Sequence, residues 1–497
     1  MELLSAGIGL IADPKLIAIL FGAVFLGVSI GSLPGLTAVM GVAILSPFTY
    51  NLPAQTGILA LVGIYVGANY GGSISATLLN IPGTPAAVAT AFDAHPMAKR
   101  GEAGRAIGIA TVSSTVGGLI SAAALIFTAP LIAGFALKFT SIELFCVAVL
   151  GLSIIIFIAE ENYLKGFIAA IFGLLIAAVG ADPMSSHPRL TFDQLELYTG
   201  VNFILVMIGL FGGAESIVQL EKEEIIGDAV KKIGRIFPGL RFVWDNIRTI
   251  LRSAFIGIFV GAVPGTGATI AAIVAYGQQK RLSKHPEKMG HGAEEGIVAA
   301  ETSNNACCGG AITTMLSLGI PGDAVTAIII GQFLIQGLRP GPMLFQERPD
   351  LVGAIFLGFI CANIFMCIIG LSAARLFANL LGTRRVILQP FILALCFVGS
   401  FAIQNQIFDV GVMVLFSVVG YAMIKLDIPR APLVLALILG PLMESNLRRS
   451  FNIYGDGLEV FSAFIHRPLA VVIAVLTILL FLYPFIRNIA SRRKIKV

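Results

Sequence analysis

The sequence predicts an all-α, polytopic integral membrane protein of about twelve spans, built from two inverted repeats with broken or re-entrant helices. Three observations predict it. Of 497 residues 57% are hydrophobic and only 12% charged, whereas a soluble domain carries about 25% charged residues. Long apolar runs recur along the chain. Two interrupted apolar segments say nearly the same thing twice, roughly 230–240 residues apart, which is the sequence mark of a repeated carrier fold.

The apolar runs cover residues 15–31, 57–79, 106–133, 142–159, 163–181, 201–213, 351–371, 388–403, 408–424 and 468–486. They are continuously apolar, not alternating, which argues against a β-barrel. In lipid such runs satisfy their backbone only as helices, or as irregular segments buried in protein. Met1-Glu2 carries no basic region and the first Lys is Lys15, so insertion by the first span is expected, not a cleaved signal.

The first copy of the repeat reads Gly31-Ser-Leu-Pro34-Gly35-Leu-Thr37, then Gly71-Gly72-Ser73-Ile-Ser75, then Asn80-Ile-Pro82-Gly83-Thr84. The second reads Gly261-Ala-Val-Pro264-Gly265-Thr266-Gly267, then Gly309-Gly310-Ala-Ile-Thr313, then Gly319-Ile-Pro321-Gly322-Asp323. Four domains follow: 1–218, the first repeat half; 219–252, a basic cytoplasmic connector; 253–445, the second half; and 446–497, a final span with a basic cytoplasmic tail. Lys/Arg placement orients the halves. The loop 49–57 has no Lys or Arg, while its counterpart 280–295 has Lys280, Arg281, Lys284 and Lys288. The later loop reverses this, with Lys99, Arg100 and Arg105 against Arg339 and Arg348. Corresponding loops are therefore expected on opposite faces, and the C-terminus in the cytoplasm.

Pro-Gly inside a membrane helix frees backbone groups, because Pro lacks an N–H and disfavours a helical residue before it. The helix that restarts presents unpaired N–H groups and partial positive charge, which suit a carboxylate. The candidate substrate-binding residues are accordingly Gly35, Thr37, Gly83, Thr84, Gly265, Thr266, Thr269 and Asp323. Asp323 reads equally well as a cap of the helix it precedes. Neutral oxygens at Asn69, Ser73, Asn304, Asn305 and Thr313 suit a cation such as Na⁺ or a polar solute, or hold helices together as polar glue. Glu301 is an acid at membrane depth and a functional candidate by default, for a cation or a proton; Glu143 and Glu215 are weaker ones. Asp93-Ala-His95-Pro96 reads as a cytoplasmic turn, with His95, His285 and His291 in solvated loops.

No catalytic residues are found. Walker A, His-Glu-x-x-His and Gly-x-Ser-x-Gly patterns are lacking, and Gly265-Thr-Gly267 begins a dinucleotide fingerprint that ends wrongly at Ile270. The six Cys form no Cys-x-x-Cys and read as small buried side chains. The net charge of +5 reflects topology, not nucleic acid. No cofactor is expected beyond a coupling Na⁺ or H⁺. Trp244 is expected at an interface.

These strings, with Pro96-Met-Ala-Lys-Arg-Gly-Glu-Ala-Gly-Arg105, Lys280-Arg-Leu-Ser-Lys-His-Pro286 and Glu301-Thr-Ser-Asn-Asn305, resemble the large membrane subunit of the tripartite tricarboxylate transporter family, the TctA type. The resemblance covers essentially the whole chain. It implies a bacterial inner-membrane secondary transporter of tricarboxylates or related carboxylates, driven by Na⁺ or H⁺. Its implied partners are a small membrane subunit and a periplasmic solute-binding protein. The alternatives are a channel-like pore or a non-catalytic docking subunit.

Overall fold

A computed structural model describes residues 2–158, 163–182, 185–221, 233–239, 241–380 and 385–480. It is helical throughout apart from one two-residue pairing, Gly180–Ala181 with Pro188–Arg189. Ten helices build the centre: α1 (Pro14–Ser32), α2 (Ala38–Leu45), α3 (Ala54–Leu79), α4 (Val88–Met97), α5 (Ala103–Ala136), α6 (Ile247–Ala262), α7 (Gly267–Leu282), α8 (Glu294–Leu318), α9 (Ala324–Ile335) and α10 (Pro349–Ser372). The basic tail beyond residue 480 and most of the 222–232 stretch of the connector lie outside the described residues. α6 begins at Ile247, inside the segment read as connector. Trp244 is exposed.

The Pro-Gly motifs end helices where the sequence placed them. α1 stops at Ser32 and the chain resumes as α2 after Pro34-Gly35; α6 stops at Ala262 and resumes as α7 after Pro264-Gly265. α3 closes on Asn80 and α8 on Gly319, both left-handed. The chain then restarts at Pro85–Ala87 and α4, and at α9.

Glycines set how the helices of each half pack. A Cβ on Gly31 would collide with the Ala68 carbonyl, and one on Gly261 with the Cys307 carbonyl. Gly71 abuts Val28 O, and Gly310 abuts Ile258 O. Gly83 abuts Gly31 O, and Gly322 abuts Gly261 O. α1 thus crosses α3 as α6 crosses α8, at backbone contact that only Gly permits. The matched pairs follow one spacing in α3 and α8, 239 residues, the separation of Asn69 and Cys308. This corrects the sequence register by one: Gly71-Gly72 match Gly310-Ala311, not Gly309-Gly310. Packing against α1 and α6 fixes the match, and the repeated glycines alone do not.

The halves also touch each other reciprocally. Gly57 packs on Gln332, and Gly296 packs on Asp93, the same two positions exchanged. Gln332 Nε2 bonds Thr49 O, and Gln336 Nε2 bonds Tyr50 O and Leu52 O. On the other side Asp93 Oδ1 accepts from the N–H groups of Gly290, Gly292 and Ala293, each at 2.8 Å, and Arg100 bonds the His291 and Gly292 carbonyls. α2 packs on α9, and Pro85–Ala87 packs on α7. Exchanged contacts of this kind are what a two-fold rotation generates.

By length and composition, six described helices are long and apolar enough to cross a membrane, or seven if Gly457–Ile465 and Pro468–Leu480, bent by 97°, form one span. Five shorter apolar helices accompany them. α8 escapes that count because Glu301 to Asn305 lower its hydropathy, yet these residues are fully buried. Outer helices present large apolar side chains outward, Phe127, Leu131 and Phe255 each more than 70% exposed, as a surface facing lipid does.

Candidate functional site

α3 and α8 cross at the middle of the bundle. Asn69 Nδ2 donates to Cys308 Sγ at 2.9 Å, and Asn304 Nδ2 donates to the Asn69 carbonyl at 3.2 Å. Asn69 and Cys308 are the same position in the two halves, so the crossing lies on the relating axis. His95 Nδ1 lies 3.0 Å from Thr77 O, so α4 folds back beside the end of α3, remote from Gly57 at its start.

The four restarting helices form two cross-repeat pairs of different character. In the α2–α9 pair both N-termini are filled by their own side chains. Thr37 Oγ1 accepts from Met40 N, and Asp323 makes a reciprocal capping box with Thr326. Tyr65 OH adds a 2.5 Å bond to the other Asp323 oxygen. The cap reading of Asp323 is the one its geometry fits, since the carboxylate occupies the N-terminus where a solute carboxylate would lie. In the second pair, Pro85–Ala87 with α7, neither N-terminus has a side-chain cap. Ala86 packs there with Ala268 and Ala271. Gly83 lies at the first of these breaks and Gly265 at the second, where its N–H bonds Gly322 O at 2.7 Å. Thr266 turns its hydroxyl back to the Val260 and Val263 carbonyls, which closes the end of α6. Thr269 is half-buried on the first turn of α7.

Around the turn Asn69–Ser73 the structure gathers Asn69, Ser73, Thr84, Asn304 and, one turn away on α8, Glu301. Thr84 presses against Gly72. Glu301 is fully buried, with Thr90 Oγ1 on one carboxylate oxygen and Ser114 Oγ 2.7 Å from the other. Two predicted residues stay outside. Asn305 Nδ2 bonds Asn363 Oδ1 (2.7 Å) and Ser114 O, and Thr313 Oγ1 bonds Gly309 O within its own helix. Both are bonded as structural glue. Glu143 pairs with Arg467 and Glu215 with Arg430, away from the crossing.

One expectation is overturned. Asp93 and His95 are buried in α4 and not in a solvated turn. Pro96 misled the reading, because the helix tolerates it near its C-terminus and the chain breaks only at Gly101 (φ 88°). His285 and His291 do lie in loops. Sequence reasoning missed Tyr65, Thr90, Ser114, Asp93 and Tyr276, whose hydroxyl bonds Asp93 at 2.9 Å. Aligning the repeats at 239 would have flagged Tyr65 as the counterpart of Asn304.

A cavity of about 420 Å³ between Ser141–Ile158 and Gly457–Ile465, lined by Phe145, Cys146, Phe461 and Phe464, is apolar and remote from every break. It has the lining of a lipid-side groove and none of the convergent polar groups of a solute site.

Two uncapped helix starts beside a buried polar turn, repeated across a two-fold, is the arrangement of a membrane carrier. Residues 16–435 match the tripartite tricarboxylate transporter TctA family. The chain belongs to that family. TctA is a transporter family and not an enzyme family. The chain is 34% identical over 489 residues, 98% of its length and 97% of the relative's, to an uncharacterized 52.8 kDa protein in the TAR-I ttuC' 3' region of Agrobacterium vitis. It is 33% identical over 238 residues to an uncharacterized protein in the TAR-II ttuC' 3' region of the same organism, which covers 48% of this chain and 97% of that protein. No solved structure matches it significantly. TctA membership makes this a multi-pass membrane protein of a tripartite transport system, and the apolar outer surface agrees.

Proposed function

We propose that this chain is the large transmembrane subunit of a binding-protein-dependent secondary transporter, taking up tricarboxylate or related carboxylate solutes on a Na⁺ or H⁺ gradient. A small membrane subunit and a periplasmic solute-binding protein complete it. It sits in a bacterial inner membrane, with the C-terminus cytoplasmic.

The observation that carries the reading is the pairing of uncapped helix starts at Pro85–Ala87 and Gly267. Aligned N–H groups of two helices stabilise a carboxylate without a buried Lys or Arg. A solute of several carboxylates engages both starts at once, and Thr84, Thr266 and Thr269 lie at their mouths. Thr37 and Asp323 hold the other pair shut.

Inverted repeats are supported by two facts. Gly57, at the start of α3, meets Gln332 of the second half, while Gly296, at the start of α8, meets Asp93 beside the end of α3. α3 and α8 therefore run antiparallel, so their relating axis lies across the helices and, in a membrane, in its plane. Charge agrees. Arg100 and Arg105 join the loop containing Lys280 to Lys288 at one end, through His291, Gly292 and Glu294. The opposite end, residues 49–52 with Gln332 and Gln336, carries no Lys or Arg. The basic end is the cytoplasmic one.

The test is uptake of labelled citrate and smaller carboxylates into proteoliposomes holding the chain and its small subunit, under imposed Na⁺ or H⁺ gradients, with and without the binding protein. Saturable, gradient-driven uptake that needs the binding protein is expected. Unsaturable flux indifferent to both would replace the carrier with a pore.

A further inference from the structure

The two halves differ at one pair of equivalent places. In one, Tyr65 of α3 reaches across to Asp323 and bonds it directly. The same 239-residue relation turns Tyr65 into Asn304 and Asp323 into Thr84. Both replacements are shorter, and no bond forms between them. Asn304 Oδ1, Thr84 Oγ1 and Ser73 Oγ are all without a hydrogen-bond partner. Their residues are 0%, 2% and 1% exposed. Since α3 and α8 run antiparallel through Asn69 and Cys308, Ser73 falls opposite Asn304, and Thr84 abuts Gly72 beside it. Asn304 cannot turn its amide to relieve the oxygen, because Nδ2 is held on the Asn69 carbonyl.

Orphaned buried oxygens are costly, and three around one turn point to something that satisfies them together. The charge of the missing partner is set by Glu301. Its two oxygens meet the hydroxyls of Thr90 and Ser114, and among the described residues no cationic side chain pairs with it. A buried carboxylate without a counter-charge is strongly unfavourable. Neutral hydroxyl and amide oxygens are hard donors, suited to a hard cation and poor for a transition metal.

We infer that Ser73, Thr84 and Asn304 form the binding site of a monovalent hard cation, Na⁺, balanced in charge by Glu301 one helical turn away. The inference rests on the transport reading for what the ion does, not for its binding. Thr84 belongs to both places: its hydroxyl faces the cation while the helix start that follows it faces the solute. An ion there joins the two halves at the crossing, beside the uncapped pair.

The test uses the purified full-length chain in detergent, without solute or partner subunits. Thermal unfolding midpoints are recorded against NaCl, with choline chloride holding ionic strength constant. The wild-type midpoint should rise saturably with Na⁺ and not with choline. Ser73→Ala and Thr84→Val should need at least about tenfold more Na⁺ for half the rise. In choline alone Ser73→Ala should be no less stable than wild type, since it deletes an orphaned hydroxyl. Thr313→Ala, outside the cluster, should respond as wild type. Glu301→Gln should weaken the Na⁺ response, and ²²Na⁺ binding should fall in parallel. No Na⁺-specific rise in wild type overturns the inference, as do Ser73→Ala and Thr84→Val responding like wild type. Stability that follows pH through Glu301 and ignores Na⁺ overturns it in favour of a proton. A Na⁺ response intact in a protein that moves no carboxylate would sink the transport reading and leave the cation site standing.

Discussion

Asp93→Ala tests the contact between halves at the basic end. The carboxylate is fully buried and receives three backbone N–H groups of the 290–293 loop, each at 2.8 Å, and the Tyr276 hydroxyl at 2.9 Å. Hydrogen bonds to a charged group contribute about 1.5–3 kcal/mol each. Four would give at least about 6 kcal/mol if nothing relaxed. The loop borders solvent, so its freed N–H groups regain water, and roughly half of that, about 3 kcal/mol, survives as local stability. That corresponds to about a hundredfold faster opening of the loop, at 1.4 kcal/mol per factor of ten. Hydrogen exchange followed by mass spectrometry on peptides spanning residues 284–297 reads this directly. Protection at Gly290, Gly292 and Ala293 should fall by about two orders of magnitude, while α3 stays protected. Arg100→Ala, which removes exposed bonds to His291 O and Gly292 O, should cost under about 1 kcal/mol. Gln332→Ala, which gives up a 3.4 Å bond at the opposite end, should be similarly mild. Unchanged protection in Asp93→Ala, in a folded protein, would refute the clamp and the asymmetry argued from it.

Two further predictions separate packing from function. Gly31→Ala places a methyl against the Ala68 carbonyl and should destabilise by about 1–3 kcal/mol through overpacking, read as a lower midpoint in a thermal size-exclusion assay. Gly22→Ala meets no atom within 4 Å and should be neutral or stabilising by up to about 1 kcal/mol; equal effects of the two would show that α1 and α3 do not cross as described. Thr37→Ala removes a helix cap and should lower stability by about 1 kcal/mol with little change in KM for uptake. Thr84→Val should instead raise KM at fixed Na⁺, and the reverse pattern would exchange the roles of the two helix pairs.

Much of the site was legible because breaking a membrane helix takes particular residues. Pro34, Pro82, Pro264 and Pro321, each followed by Gly, marked all four interruptions, and Ser73, Thr84, Glu301 and Asn304 stood out as polar residues in apolar surroundings. What failed shares one cause. α3 and α8 are buried on every side, so no apolar stripe tells which neighbour a given side chain faces. Asn304 and Asn305 look alike in sequence, yet one faces α3 and the polar turn while the other bonds Asn363 of α10. His95 was placed in a loop because Pro96 follows it, although the chain turns only at Gly101.

The sequence by itself determined that the chain is a helical membrane protein, that it carries a duplicated broken segment, and where each helix stops. These are local matters: hydropathy over a span, a missing N–H at Pro, and the freedom of Gly. Only the tertiary structure decided which helix starts are capped and which are open, and it set the register of the repeat to the residue. It alone brought Ser73, Thr84 and Asn304 around one turn. Those facts depend on contacts between residues some 240 positions apart, formed where α3 and α8 cross, and side-chain reach across that crossing is not written in either segment alone.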